Sequence, residues 1–273
     1  MVVLICVDGA RPDGLARAAT PHLDRISKDG STCLTVRPVH PNLPLAGQQS
    51  LFRGVTPDIH GAKGAELNGF KRTIPSLIDL LSQADQKVGM FYTIPSLREV
   101  CLPDSAAVNY CNARTHVSDG DNHIVEMAIR TAAAEDFDFL FINLGHAGYM
   151  GASYGWDSDE YIQAMTFTDN CIGKFTDALI ALHQPVDFVI ASNHSGANSS
   201  GPDDLPLFLW GYRVVQDCKI EVPVSLLDIA PTIAYLTGIQ PAREWQGRLI
   251  AEAINDTPEA EARNQPTVFG LED

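Results

Sequence analysis

Positive charge is scarce in this chain. Its 273 residues carry 19 Lys and Arg against 34 Asp and Glu, a formal net charge of −15. That balance excludes a nucleic-acid backbone or an anionic membrane surface as partner. An anionic ligand would have to be drawn in by local groups, against the overall field. Long hydrophobic runs are missing as well. The opening MVVLICVDG has no basic stretch, and its apolar run ends at Asp8-Gly9. No later run reaches the ~18 apolar residues of a membrane span. The expectation is a cytoplasmic protein with no membrane partner. Six cysteines (Cys6, Cys33, Cys101, Cys111, Cys171 and Cys218) show no CxxC spacing. Neither a structural zinc site nor a disulfide framework is indicated, and the thiols read as buried or incidental.

What is present is a regular alternation. Residues 2–7 (VVLICV) form a continuous β-branched apolar run, which suits a strand buried on both faces. A helix over 21–28 with Thr20 as N-cap, a strand over 32–37 and a helix over 46–53 follow. Helices over 75–84, 122–134 and 159–182 each precede an apolar strand, at 87–92, 138–143 and 187–192. A strand over 206–210 and a helix over 225–237 close the pattern. It predicts an α/β three-layer sandwich with a mostly parallel central sheet. Residues 1–250 form the domain, and the weakly periodic segment 251–273 reads as an acidic tail. In such sheets ligands bind at the carboxyl ends of strands. Asp8, Gly145-His146 and Asn193-His194 all fall just past a strand end. Asp119, Asp121 and His123 sit at a helix start, where capping and the dipole explain them.

Six segments then stand in a telling order: Asp8-Gly9-Ala10-Arg11-Pro12-Asp13; Thr20-Pro21-His22-Leu23-Asp24; Leu51-Phe52-Arg53-Gly54-Val55-Thr56-Pro57-Asp58-Ile59-His60-Gly61; Tyr154-Gly155-Trp156-Asp157-Ser158 with Tyr161 and Asp169; Ser192-Asn193-His194-Ser195; and Leu226-Leu227-Asp228-Ile229-Ala230-Pro231-Thr232 with Gly238 and Gly247. Together they resemble the type I phosphodiesterase/nucleotide pyrophosphatase branch of the alkaline phosphatase superfamily, over about residues 2–250. The resemblance implies that superfamily's fold, here with a minimal cap. It also implies a chemistry in which two divalent metals clamp a phosphoryl group while a hydroxyl or thiol attacks.

The residues that this chemistry requires are mostly replaced. The opening Asp is kept as Asp8 and the His of the family's SDHG as His194, while the Asp beside it is Asn193. The nucleophile position, ten residues before Gly54, holds Pro44. The family's DxxGH pair falls on Gly148 and Ala152, and the stretch 196–201 contains no histidine. In the family, the positions of Asp8 and His194 hold one metal, so the resemblance brings these two side chains together. Without a metal they are placed to hydrogen-bond, and a carboxylate that holds an imidazole raises its basicity. Candidate site residues are therefore Asp8, Asn193 and His194, with His146, His40 and Gln48 as accessory groups. Three readings stay open. The first is a metal-independent enzyme (lyase, cyclase or hydrolase) that uses an Asp8–His194 acid/base pair on a small metabolite and needs no cofactor. The second is a phosphodiesterase-type hydrolase with one zinc or manganese ion on Asp8, Asn193 and His194, or on a rebuilt site, and with water as nucleophile. The third is a non-catalytic protein that binds a ligand or partner protein in the old cleft.

Overall fold

The computed structural model describes residues 1–64, 66, 69, 73–182, 185–196 and 203–255. The apolar runs become the strands of a single sheet: β1 (Val2–Val7), β2 (Ser31–Val36), β3 (Val88–Tyr92), β4 (Val108–Cys111), β5 (Phe139–Leu144), β6 (Asp187–Ala191), β7 (Leu205–Gly211) and β8 (Cys218–Lys219). Their spatial order is β4-β3-β5-β1-β6-β7-β2-β8. β1 lies between β5 and β6 and is parallel to both. β3 and β4 continue the parallel half, and β7 runs antiparallel to β6 and β2. The helices are α1 (Pro12–Arg17), α2 (Pro21–Asp29), α3 (Pro44–Arg53), α4 (Pro57–His60), α5 (Leu77–Gln83), α6 (Ser118–Ala134), α7 (His146–Tyr154), α8 (Asp159–Ala181) and α9 (Ile229–Thr237).

Side chains alternate along a strand, so a sheet covered on both faces builds two cores. Val2, Leu4 and Cys6 of β1 pack into one, with Phe52 of α3, Ile78 of α5 and Ile233 of α9. Val3, Ile5 and Val7 pack into the other, with Ile26 of α2, Ile124 of α6 and Phe175 of α8. The expected three layers follow from that division.

Several local expectations are corrected. Thr20 precedes α2, but its side chain makes no cap bond. The carboxylate of Asp169 on α8 does so instead, accepting from His22 N at 3.1 Å and Leu23 N at 2.8 Å. Asp121 does not cap its own helix either. It accepts from Gly145 N (2.9 Å) and His146 N (3.1 Å), so α6 caps the start of α7. α7 itself, with the sequence HAGYMGASY, was not expected as a helix because it lacks an apolar period. The segment after 250 begins inside the domain: Ala253 is buried, and Val215 N and Asn255 N bond to Ala253 O and Arg213 O. Packing thus extends to Asn255, and the rest of the expected tail, 256–273, lies outside the described residues. No helix among the described residues is long and apolar enough to cross a membrane.

Candidate functional site

Two adjacent parallel strands create the site. In the β1–β6 ladder Cys6 stands opposite Ala191. Two residues further along each strand, Asp8 and Asn193 leave the sheet at the same level. The Asn193 Nδ2 amide donates to Asp8 Oδ1 at 2.9 Å and approaches the carbonyl oxygen of Pro44, the first residue of α3, at 3.5 Å. His194 follows, and its Nε2 stands 3.3 Å from Asp8 Oδ2. That contact is close enough for charge to act across it. It is off the direction of a hydrogen bond, and His194 Nε2 has no hydrogen-bond partner. The other ring nitrogen, Nδ1, accepts from Gly196 N at 3.0 Å. An accepting Nδ1 puts the proton of the neutral ring on Nε2, facing Asp8. All three residues are buried, at 6% (Asp8), 1% (Asn193) and 3% (His194) exposure. Trp156 lies beside His194, its ring 6.0 Å from the imidazole and nearly perpendicular to it.

The other expected residues divide. Gly148 is at the site but presents no ligand: a Cβ there would stand 2.3 Å from Asp8 Oδ2, so α7 packs its bare backbone on the carboxylate. Ala152 is exposed further along α7. His146 opens α7, and its Nδ1–H donates to Thr115 O at 2.8 Å while its ring packs edge-on to Phe167. His40 is exposed and is not drawn into the cluster. Gln48 is buried in α3, where its Oε1 accepts from Ser96 Oγ at 2.9 Å and its Nε2 has no partner.

Three contributors were not anticipated from the sequence. Asn42 clamps the segment that carries His194: its Nδ2 donates to Ser195 Oγ at 2.7 Å and its Oδ1 accepts from Ser195 N at 3.2 Å. Nothing local marks this asparagine, which lies between two prolines. Trp156 stands in the sequence only within the Tyr154–Ser158 motif, and nothing there marks its contact with His194. Asp121, fully buried below the rim, has its carboxyl pushed up to about 7; burial is the main cause, the two N–H bonds oppose it and the charge of Asp8 adds to it.

These donors do not fit the metals that the family's chemistry uses. Asn193 turns an NH₂ group, not an oxygen, toward Asp8 and Pro44. The proton on His194 Nε2 covers the lone pair that a metal would need. A metal-bound histidine donates its second ring N–H, whereas Nδ1 here accepts. Gly148 and Pro44 supply no side-chain donor. Among the described residues, no three His, Cys, Asp or Glu side chains converge as a metal site.

A family model for type I phosphodiesterase / nucleotide pyrophosphatase matches residues 2–67 and 75–225, well over half of the chain. The chain belongs to that family. No curated protein sequence matches it. Among solved structures, murine ectonucleotide pyrophosphatase / phosphodiesterase 5, seen in an inactive form with AMP, superposes with a TM-score of 0.72 at 15% identity, over 88% of this chain and 96% of that one. Wild-type alkaline phosphatase PafA superposes at 0.74 with 13% identity, over 93% and 98%. Phosphonate monoester hydrolase of Agrobacterium radiobacter gives 0.71 at 14%, over 98% and 78%. At these identities the likeness establishes the alkaline-phosphatase-like fold.

Proposed function

We propose that this family member has given up two-metal phosphodiester hydrolysis and keeps the old centre as a metal-free binding site for a small metabolite. The observation that carries this reading is the Asn193 amide, whose Nδ2 links Asp8 Oδ1 to the backbone of Pro44. A neutral donor there satisfies the buried carboxylate and occupies the position between the two groups. Asn193 Oδ1 and His194 Nε2 remain buried without partners. Native proteins rarely leave such atoms unmatched, and a small polar ligand would pair them. The test is hydrolysis of bis(p-nitrophenyl) phosphate and p-nitrophenyl phosphate with added Zn²⁺ or Mn²⁺, together with metal analysis of the purified protein. No EDTA-sensitive turnover and no stoichiometric metal are expected. The opposite result would restore the hydrolase reading.

A second reading, metal-independent proton transfer by His194 with Asp8 behind it, is favoured by their 3.3 Å contact. A base needs a free lone pair, so turnover would require the ring to release Gly196 N–H. Depletion of compounds from a metabolite mixture, followed by mass spectrometry, tests it. His194→Ala and Asp8→Asn should abolish any turnover, and unchanged turnover in both would end this reading.

A further inference from the structure

Trp156 is seated in an unusual way. It lies in the short turn between α7 and α8, where Ser158 N and Oγ both bond to Gly155 O. Its neighbours Gly155 and Asp157 are exposed, and the indole itself is half-buried. The ring rests on the bare backbone of three glycines from three separate segments. A Cβ at Gly9 would meet it at 2.7 Å, one at Gly151 at 2.4 Å and one at Gly196 at 2.2 Å. It also meets two rings edge-on, Tyr161 at 5.4 Å and His194 at 6.0 Å, and packs against the edge of the second core. His194, which it meets edge-on, and the adjacent Asn193 carry the two unpaired buried atoms, His194 Nε2 and Asn193 Oδ1.

A side chain that anchors a core interlocks with other side chains on all sides. This indole borders one core, yet it also lies flat against the backbone of three glycines. It borders solvent and is carried by a turn between two fixed helices. We propose that Trp156 is the gate of the site: its indole swings out to admit ligand to Asp8, Asn193 and His194, and the slot it leaves takes a planar aromatic ring. The inference rests on the site being one that binds a ligand. Its readout is access to His194, so its failure is distinguishable from the discovery of metal-dependent hydrolysis.

The test is carbethoxylation by diethyl pyrocarbonate, mapped by mass spectrometry, with the exposed His116 as internal reference. In the wild-type chain His194 should react much more slowly than His116, at a rate set by local opening. Trp156→Gly should speed His194 at least about tenfold with His116 unchanged. Free indole should then restore protection by refilling the slot, as apolar rings refill engineered cavities. If Trp156→Gly fails to fold by circular dichroism, Trp156→Phe, which keeps a smaller ring, should give an intermediate rate. The proposal is overturned if His194 in the folded variant reacts no faster than in the wild type. It is equally overturned if His194 in the wild type reacts as fast as His116, or if indole gives no protection.

Discussion

An amide and a carboxylate differ at position 193 by one polar atom, and that atom decides what Asp8 can do. The amide donates to Asp8 Oδ1 at 2.9 Å inside a buried cluster. A carboxylate in its place would face Asp8 with like charge, and two such groups at this range cannot both ionise. Asn193→Asp is therefore expected to lose about 1–3 kcal/mol at pH 8 and less at pH 5, because retaining a shared proton costs less as the pH falls. Urea unfolding at the two pH values checks this. Added Zn²⁺ should not recover the loss, because Gly148 and Pro44 supply no further side-chain ligands. Gly148→Ala tests the opposite wall: its Cβ would stand 2.3 Å from Asp8 Oδ2, and overpacking of this kind costs about 1–3 kcal/mol. Unchanged stability in the same urea assay would show that α7 yields easily. At this scale the sequence disclosed the residues that follow strand ends, namely Asp8, Asn193 and His194, because the sheet ladder places them. It did not disclose Asn42 or the seat of Trp156. Those depend on segments that meet only in three dimensions.

Between elements, two buried aspartates, Asp121 and Asp169, cap helices other than their own. Asp169 holds the first N–H groups of α2 from α8. Asp169→Ala should cost about 0.5–2 kcal/mol, as loss of a cap does, and α2 should then show faster amide exchange than α6. Asp121 carries a pH signature as well. Burial raises its carboxyl from 3.8 to about 7. Between those values the folded chain holds a proton that the unfolded chain has released, so this group makes stability fall as pH rises. His60 acts oppositely. Burial, and then the charge of Arg53, lower it from 6.5 to about 4, so it makes stability rise with pH over that window. The two oppose each other in the native chain. In Asp121→Asn the opposing effect is removed, and stability by urea unfolding should climb more steeply from pH 5 to 7 than in the wild type. An unchanged slope would refute the assignment. The major strands and helices were readable beforehand because their apolar periods are long. β4, with its half-exposed side chains, and the two-residue β8 lie at the sheet edges, where burial leaves little pattern. The caps were misassigned because local spacing cannot show that a carboxylate reaches a neighbouring helix.

Over the whole molecule, charge and site pull against each other. The net charge of −15 repels anions at long range. Close to the site, the cationic side chain of Arg11 is already taken up by Asp13, which both its Nε and Nη2 contact. The fold neighbours include phosphatases and phosphodiesterases, yet a phosphate-bearing ligand would approach this chain against its field. Uncharged or cationic ligands would not. Salt screens that field, with a Debye length of about 10 Å at 0.1 M. Association of an anionic ligand should therefore accelerate as NaCl is raised, the reverse of the slowing seen when opposite charges steer an encounter. Stopped-flow quenching of tryptophan emission by AMP, across a range of NaCl concentrations, measures the effect. An association rate that falls with salt would mean that local positive groups outweigh the net charge, and would bring phosphate ligands back into consideration for the site. A rate that rises with salt, or no binding at all, leaves a planar uncharged ligand as the better occupant of the site that Trp156 borders.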